Sequence, residues 1–525
     1  MAADEELKVD RPNEQSTPES GESTTTIDAE PTNQIEAAGE DVVKGDKGIR
    51  KHLIALSIVL CQLVVALPFG SGLLVAFTVP AELGADPNLG IWIAAAYPRV
   101  VFFFRNRLTQ ATFVLMGGRV GAVHGHKKIL VIGSIIYILF NLICGFMRTV
   151  ETIIVMRALS GVGAGIIVPN AIALLTTSFP PGMGRLIWVG LFGAMAPVGA
   201  GGGSVFPGFF GQLLPWWWLF FFFAIAGAVI FGAAAIIVPA EEVTMDPNGK
   251  VDYLGSYLGV GGLILFNYSW TEAAIKGWSV SYVYVLLILS VLHIALFLIW
   301  EAKFAKEPIL PFTVWSAPSF KPMLLSAFFT FMSTGILLYY ITRWHIEIRH
   351  FSNFLNAAGF VTFTVMATIA CGASAFSIRY LPAQFVMAIG TVAALVAGIL
   401  LATMPAHQTY WPQEFPALFI LGFSPDFIFT AAQIITSNSV KRRLQGVAGS
   451  LVGTVQLYGL STGLGFAGTI ERYTNKNGGD PIGGIRHALW FSVALAGVAT
   501  LVCVIIRIPK DEREGWDEDE EQPHA

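Results

Sequence analysis

Fourteen times along the chain a run of about 20 apolar residues recurs between short polar or basic stretches, and runs of that length read as membrane spans. They lie near 53–79, 92–117, 129–147, 153–176, 186–210, 216–238, 254–270, 281–300, 322–342, 357–377, 382–403, 415–437, 446–470 and 487–507, the seventh being the shortest. The hydrocarbon core of a bilayer offers no water to unpaired amides, so each run is expected to form a helix that satisfies its own backbone. The fold class read from this pattern is all-α, a polytopic membrane protein of about 14 helices. Composition agrees: charged residues make up 13% and mean hydropathy is +0.63, whereas a water-facing globule carries roughly 25% charge.

Orientation follows from basic residues near the span ends. With the N-terminus in the cytoplasm, roughly nineteen Lys and Arg, among them Lys51, Arg119, Lys127, Lys128, Arg185, Lys250, Lys303 and Arg443, fall on the cytoplasmic side. Seven fall opposite: Arg148, Lys276, Arg343, Arg349, Arg472, Lys476 and Arg486. Such a bias sets topology, and an even span count puts both termini in the cytoplasm. Residues 1–48 are rich in Glu, Asp, Ser, Thr and Pro, a composition that buries too little apolar surface to fold, and are expected to form a disordered cytoplasmic tail without a secretory signal. Residues 509–525 form an acidic tail. Between them the expected organisation is a six-helix half over 49–240, a linker with two extra helices over 241–300, and a second six-helix half over 301–508.

Several chemistries find no support. Net charge is −4, which does not suit a nucleic acid partner. Cys61, Cys144, Cys371 and Cys503 each fall in an apolar run without metal-ligand spacing and read as small buried hydrophobes. No Gly-rich phosphate loop followed by Lys-Ser/Thr is present, so ATP drive is not expected. The expected partners are a small-molecule substrate, protons and membrane lipid, with no metal or other cofactor, no enzymatic activity, and a monomeric state. Asn267-Tyr268-Ser269 matches a glycosylation triplet but lies inside the seventh span, where it is not expected to be modified.

Three motifs sit at successive positions. The stretch after span two reads Gly117-Gly118-Arg119-Val120-Gly121-Ala122-Val123-His124-Gly125-His126-Lys127-Lys128, glycines for a tight interhelical turn beside basic residues. Span four carries Arg157-Ala158-Leu159-Ser160-Gly161, and span five Gly193-Ala194-Met195-Ala196-Pro197-Val198-Gly199-Ala200-Gly201-Gly202. Together they resemble the loop signature, the Arg-x-x-x-Gly motif and the antiporter signature of the major facilitator superfamily. Asp252-Tyr253-Leu254-Gly255 opens span seven, Phe304-Ala305-Lys306-Glu307-Pro308 follows span eight and Gln445-Gly446-Val447 opens span thirteen. These narrow the resemblance to the fourteen-span drug–proton antiporters, close to the fungal aminotriazole-resistance and boron-efflux group. The resemblance covers about residues 50–510. It implies two six-helix halves around a central path and export from the cytoplasm, by resemblance across a fungal plasma membrane. This chain departs from the family at Ala122, where an aspartate usually helps latch the halves, and at Val123, where a basic residue is usual.

A second departure is residues 99–107, Arg-Val-Val-Phe-Phe-Phe-Arg-Asn-Arg, between Tyr97-Pro98 and Leu108-Thr109. Relatives run from the proline straight to the leucine. Either the segment bulges near the outer end of span two or it reflects a misplaced splice boundary. The second reading is favoured, because the flanks join into an ordinary span without it.

Ionisable groups near mid-span are few, and each is a functional hypothesis by default. Asp426 lies about halfway along span twelve; it either carries protons or binds substrate, or is a structural acid held by neighbouring helices. Arg157 serves coupling or structural pairing. Gln62, Gln110, Asn170, Gln433 and Gln456 either line the path or, as is commoner for any one of them, join helices. His293 reads as a packed histidine outside the path. Trp216–Trp218 and Phe220–Phe223 are expected to form an interface belt and lipid-facing surface.

The leading functional reading is an exporter of toxic molecules or metabolites driven by proton antiport. One proton entering down ~100 mV gains about 2.3 kcal/mol and ~1 unit of pH adds about 1.4 kcal/mol, enough for a substrate gradient of several hundredfold. The alternatives are a nutrient importer or uniporter of the same fold and a non-transporting membrane sensor.

Overall fold

The computed structural model describes residues 49–85, 110–179, 183–239, 250–305, 315, 319–378, 380–439, 445–475 and 478–507. Expectations for the two tails, residues 99–107 and the basic run Lys441–Arg443 lie outside the described residues. So does most of the stretch that follows span eight.

The described residues are helical throughout, with no strand. In chain order the helices are α1 (Ile49–Glu82), α2 (Gln110–His124), α3 (His126–Phe146), α4 (Val150–Ser178), α5 (Met183–Leu213), α6 (Trp218–Ile237), α7 (Tyr253–Lys276), α8 (Ser281–Lys303), α9 (Phe320–Arg343), α10 (Asn353–Ser377), α11 (Ala383–Ala402), α12 (Glu414–Leu421), α13 (Phe423–Ser439), α14 (Gln445–Thr474) and α15 (Pro481–Ile505). A π turn, Trp344–Ile348, prolongs α9, and α12 and α13 together form one rod over span twelve. Ten spans among the described residues are long and apolar enough to cross a membrane.

Helix ends follow local chemistry. Asp252 caps α7 by accepting from Gly255 N at 2.8 Å, Ser352 caps α10 and Asp480 caps α15. α7 runs to Lys276, six residues beyond the span expected from hydropathy, and stops at Gly277 with φ 84°.

The turn expected at Gly117–Lys128 is corrected. α2 continues to His124 and α3 begins at His126, with only Gly125 between them, at φ 97°. The other motif glycines give up a side chain for close packing: a Cβ on Gly121 would lie 1.7 Å from Asn170 Oδ1, and one on Gly117 would lie 3.1 Å from the Ile166 Cα.

The aromatic run of α6 is also corrected. Trp216, Phe220 and Phe223 are buried, while Trp218 is exposed. Spacings of four and three put the buried set on one helical face; a run made almost entirely of aromatics hides that periodicity.

α1–α6 pack mainly among themselves around two apolar cores, and α9–α15 do the same around two others. Among the described residues the main packings that join these groups are α5 on α10 and α2 on α14, with a slighter contact of α1 on α9. α7 and α8 pair, and α7 lies along α14. It is held there by Asn267 Nδ2 to Thr462 Oγ1 (2.8 Å), Tyr458 Oη to Leu263 O (3.1 Å) and a Trp270–Phe466 stack at 3.7 Å. The C-terminal part of α2 and the start of α14 share one end of the bundle, since a Cβ on Gly118 would lie 3.6 Å from Ser450 Oγ. That end, with Arg119, Lys127 and Lys128, is called the basic end below, and the opposite one the far end.

A proline inside α1 shows how local chemistry is absorbed. Pro68 has no N–H, so the carbonyl four residues earlier, Val64 O, loses its helical donor. Tyr137 of α3 supplies it, its hydroxyl donating to Val64 O at 3.0 Å.

Candidate functional site

The seam between the two helix groups is built on α5. A Cβ on Gly199 would lie 2.6 Å from Leu63 O, and one on Gly203 would lie 1.9 Å from Leu67 O, so these glycines let α5 lie directly on the α1 backbone. Gly201 points the other way, where a Cβ would meet Thr364 Cγ2 of α10 at 2.0 Å. Gly193 faces Cys371 of α10 at 3.7 Å, and the Cys371 thiol donates to Gly190 O at 3.8 Å. Pro197 and Gly202 are half-buried between these faces, and α5 passes through Pro197 unbroken. The span-five motif is thus a two-sided packing surface, one side for its own group and one for the seam.

Asp426 lies on α13 behind α10. One turn further on, Thr430 shares a 3.0 Å hydrogen bond with Ser374 of α10. Among the described residues no side chain hydrogen-bonds or ion-pairs with Asp426. A half-buried carboxylate without a partner in an apolar span, one helix from the seam, is costly when charged, and neutralising it with a proton removes that cost.

The other packing runs antiparallel. Gly118 faces Ser450, and Val114 lies 3.9 Å from a Cβ placed on Gly453. One turn further out, this register sets the Gln110 position level with Gln456. The Gln456 side chain is half-buried and makes no hydrogen bond among the described residues; Gln110 opens α2, and its side chain lies outside them.

The remaining sequence candidates lie elsewhere. Arg157 is buried inside the first group, donating to Pro68 O at 3.0 Å and lying 5.7 Å from the Phe220 ring centroid. Gly161 is buried one turn along α4. Asn170 ties three helices: its Nδ2 donates to Gly117 O (3.0 Å) and Ile166 O (2.7 Å), and its Oδ1 faces His126 Nδ1 at 2.7 Å. Gln433 donates to Gly449 O at 3.2 Å, joining α13 to α14. Gln62 is half-buried on α1 with Oε1 unpartnered. Asp252, beyond capping α7, accepts from Trp300 Nε1 at 2.8 Å and so ties α7 to α8. Arg119 donates to Lys250 O at 3.3 Å, and Lys127 opens α3 half-buried. His293 is half-buried on α8, packed against Gly261 and Gly262 of α7. The structure therefore brings Asp426 and the span-five glycines to one side of the seam and Gln456 to the other, and leaves Arg157, Asn170 and Asp252 apart from it.

The sequence reading missed a buried ionic network at the far end. Arg343 binds Glu471 (2.5 and 2.6 Å) and Glu347 (2.8 Å), and Tyr340 Oη donates to Glu471 at 2.8 Å. Beside it, His345 Nε2 bonds Glu414 and His345 Nδ1 bonds Asn356 Oδ1 at 2.6 Å, while Arg349 pairs with the second Glu414 oxygen. These residues come from the ends of α9, α10, α12 and α14 and the π turn. The one signal in sequence was a set of acids and bases just inside span ends, which reads equally well as solvated loop charge. An apolar groove of about 640 Å³ lies on the outer surface of α11 and α12–α13 among Phe385, Ile389, Val392 and Phe423, the last one turn before Asp426.

A Major Facilitator Superfamily model matches residues 58–465. The aminotriazole resistance protein of Saccharomyces cerevisiae is 31% identical over 80% of this chain and 77% of its own. The low affinity ammonium transporter of the same yeast is 34% identical over 78% of this chain and 79% of its own. Efflux pump terG of Aspergillus terreus is 33% identical, with coverages of 82% and 81%. Among solved structures, peptide transporter POT in complex with alafosfalin aligns at a TM-score of 0.62 and 13% identity, covering 90% of this chain and 99% of that one. A bacterial homolog of the human lysosomal transporter Spinster, inward-facing and unoccupied, aligns at 0.58 and 15% identity, with coverages of 89% and 100%. At these identities the structural likeness concerns the fold alone.

Proposed function

This chain belongs to the major facilitator superfamily and is a multi-pass membrane transporter, and from that premise we propose that it exports small toxic molecules or metabolites in exchange for protons. The observation that carries the reading is Asp426, a half-buried carboxylate in an apolar span with no hydrogen-bonding or ionic partner among the described residues, one helix from the seam. In this reading a proton neutralises Asp426 while the path faces outward. Its release accompanies separation of α5 from α10 and of α2 from α14, which opens the basic end to substrate. The small residues at both contacts let them part without breaking a large side-chain interlock. The names of two relatives, an aminotriazole resistance protein and an efflux pump, support the direction. Fourteen spans with both termini cytoplasmic, in the plasma membrane, complete the proposal, supported by the bias of Lys and Arg toward one set of connections.

The test is efflux from reconstituted vesicles under an imposed pH gradient. Wild type should move substrate against its gradient only when protons run the other way, and Asp426→Asn should abolish this while still inserting. Unchanged uphill efflux by the Asn variant across pH would leave Asp426 a structural acid. A second reading, uptake of a nutrient, draws on the relative named as a low affinity ammonium transporter. The same vesicles separate the two by the direction of accumulation.

A further inference from the structure

The far-end network contains one arrangement whose chemistry fits a ligand, the proton. His345 is fully buried, stacked on Phe351 at 5.0 Å between centroids and walled by Gly359, where a Cβ would lie 3.2 Å from His345 Cε1. Both ring nitrogens face oxygen: Nδ1 faces Asn356 Oδ1 at 2.6 Å and Nε2 faces a Glu414 oxygen. An imidazole flanked by two acceptors is satisfied only when both nitrogens carry hydrogen, that is, as imidazolium. Glu414 remains paired with Arg349 on its other oxygen.

Asn356 makes the neutral state equally tenable. Its side-chain amide makes no other hydrogen bond among the described residues. Half a turn of that amide replaces Oδ1 by Nδ2, an acceptor by a donor, opposite a bare Nδ1. His345 then keeps its proton on Nε2, facing Glu414. In both protonation states the two His345 ring nitrogens thus keep a complementary partner without repacking, which a buried polar group requires. The other buried histidine–asparagine pair is built differently. Asn170 Nδ2 is committed to Gly117 O and Ile166 O, so its Oδ1 stays an acceptor opposite His126 Nδ1 and the amide cannot turn.

We propose that His345, Asn356 and Glu414 form a proton-binding site at the far end of the second helix group, distinct from Asp426. Binding there changes one local charge within a set that otherwise balances. The far end that holds His345 also carries Arg343 and Tyr340 of α9, Glu347 of the π turn, Arg349 just after it, Tyr410 of the α11–α12 connection, Glu414 of α12, Glu471 of α14 and Arg486 of α15, three positive side chains against three negative. The site has leverage on the seam. Glu414 begins the rod that carries Asp426 twelve residues, or ~18 Å, further on, and Asn356 lies in the first turn of α10, whose Thr364 and Cys371 meet α5. Proton loss weakens the tie between the α9–α10 turn and α12 from an ion pair to a hydrogen bond between a neutral donor and a carboxylate. That this end samples external pH rests on the orientation in the proposed function; proton binding itself does not.

The test uses full-length protein in lipid nanodiscs with nitrogen-15 histidine, the His345 signal being assigned by its absence in His345→Gln. Wild type is expected to convert reversibly between imidazolium and neutral imidazole as pH rises through the range in which the protein stays folded. Asn356→Asp, similar in volume, fixes an acceptor opposite Nδ1 and is expected to keep the imidazolium signal at pH values where wild type has lost it. Asn356→Leu removes the adaptable partner and should perturb the same signal while leaving that of His126 unchanged. A His345 signal that stays in one form throughout the range, or an Asn356→Asp titration identical to wild type, overturns the proposal. Repeating the titration in Asp426→Asn separates the two readings. Titration at His345 together with unimpaired uphill efflux by Asp426→Asn sinks the role of Asp426 and leaves this site standing. The converse pair of results does the reverse.

Discussion

Gly201 of α5 and Thr364 of α10 meet across the seam so closely that a Cβ on the glycine would lie 2.0 Å from the threonine methyl. Thr364 is further fixed by its hydroxyl, which donates to Phe360 O at 3.0 Å. Gly201→Ala therefore has to push α10 away from α5. Overpacking of this kind costs about 1–3 kcal/mol, so efflux should fall by roughly 5- to 100-fold while surface expression is kept. Thr364→Gly in the same chain should recover part of the loss, because it removes the atoms that clash. Equal activity of Gly201→Ala and wild type in a vesicle assay would show that this contact is not made in the working cycle.

The Tyr137–Val64 hydrogen bond predicts a dependence on a residue Tyr137 does not touch through its hydroxyl. Tyr137→Phe leaves Val64 O buried without a donor because Pro68 has none to give. The expected cost is about 1–2 kcal/mol, at the upper range for hydrogen bonds inside membranes. In a Pro68→Ala background the helix regains its N–H, and the same Tyr137→Phe change should cost clearly less. Thermal unfolding in detergent of the four proteins of this cycle measures the difference; additive shifts would show that the tyrosine is not replacing the missing amide.

Most helix positions were legible because the physical constraint is strong: a backbone in lipid must be helical, and hydropathy marks where. What sequence reading missed depends on neighbours. Gly117, Gly118 and Gly121 looked like a turn, since glycine serves both turns and tight packing, and only the nearness of Ile166 and Asn170 separates the two uses. Asp426 stood out because a lone acid in an apolar run is rare. Glu414, Glu471 and His345 did not, because each lies near the end of a span, where hydropathy cannot distinguish a solvated charge from one buried against three other helices. Asn170 shows the reverse case: a polar residue on an apolar helix, flagged as lining a path or joining helices, is placed by its three hydrogen bonds among α2, α3 and α4.

The α2–α14 contact offers a reversible lock. Val114 and Gly453 face each other within van der Waals distance, near enough for a disulfide between cysteines placed there. In a background with Cys61, Cys144, Cys371 and Cys503 replaced, Val114→Cys with Gly453→Cys should oxidise readily, losing efflux on oxidation and regaining it on reduction. Full activity of the cross-linked protein would mean that this contact stays closed through the cycle.

Topology gives a further outcome. With fourteen spans and a cytoplasmic N-terminus, a reporter after residue 525 should be protected in intact cells and read out only after permeabilisation. A C-terminal tag accessible from outside would remove one span from the reading and invert every connection downstream of it.

The last prediction concerns residues 99–107, which lie outside the described residues. At about 100° per residue, nine residues turn a helix by ~900°, two turns and a half, and add ~13 Å. Placed within span two they would rotate Trp92–Pro98 to the opposite face from the helix that follows. They would also bring Arg99, Arg105 and Arg107 into lipid, each at several kcal/mol. Without them, residues 92–98 and 108–117 join into an unbroken apolar stretch that leads into α2, whose Gly117 and Gly118 already have defined neighbours. The expectation is that the mature transcript lacks the nine codons and that a protein without them inserts and transports. Sequencing the message checks the first part, and expressing both forms side by side checks the second. If the message carries all nine codons and the full-length form is the active one, span two has a broken outer end, and the three arginines line water rather than lipid.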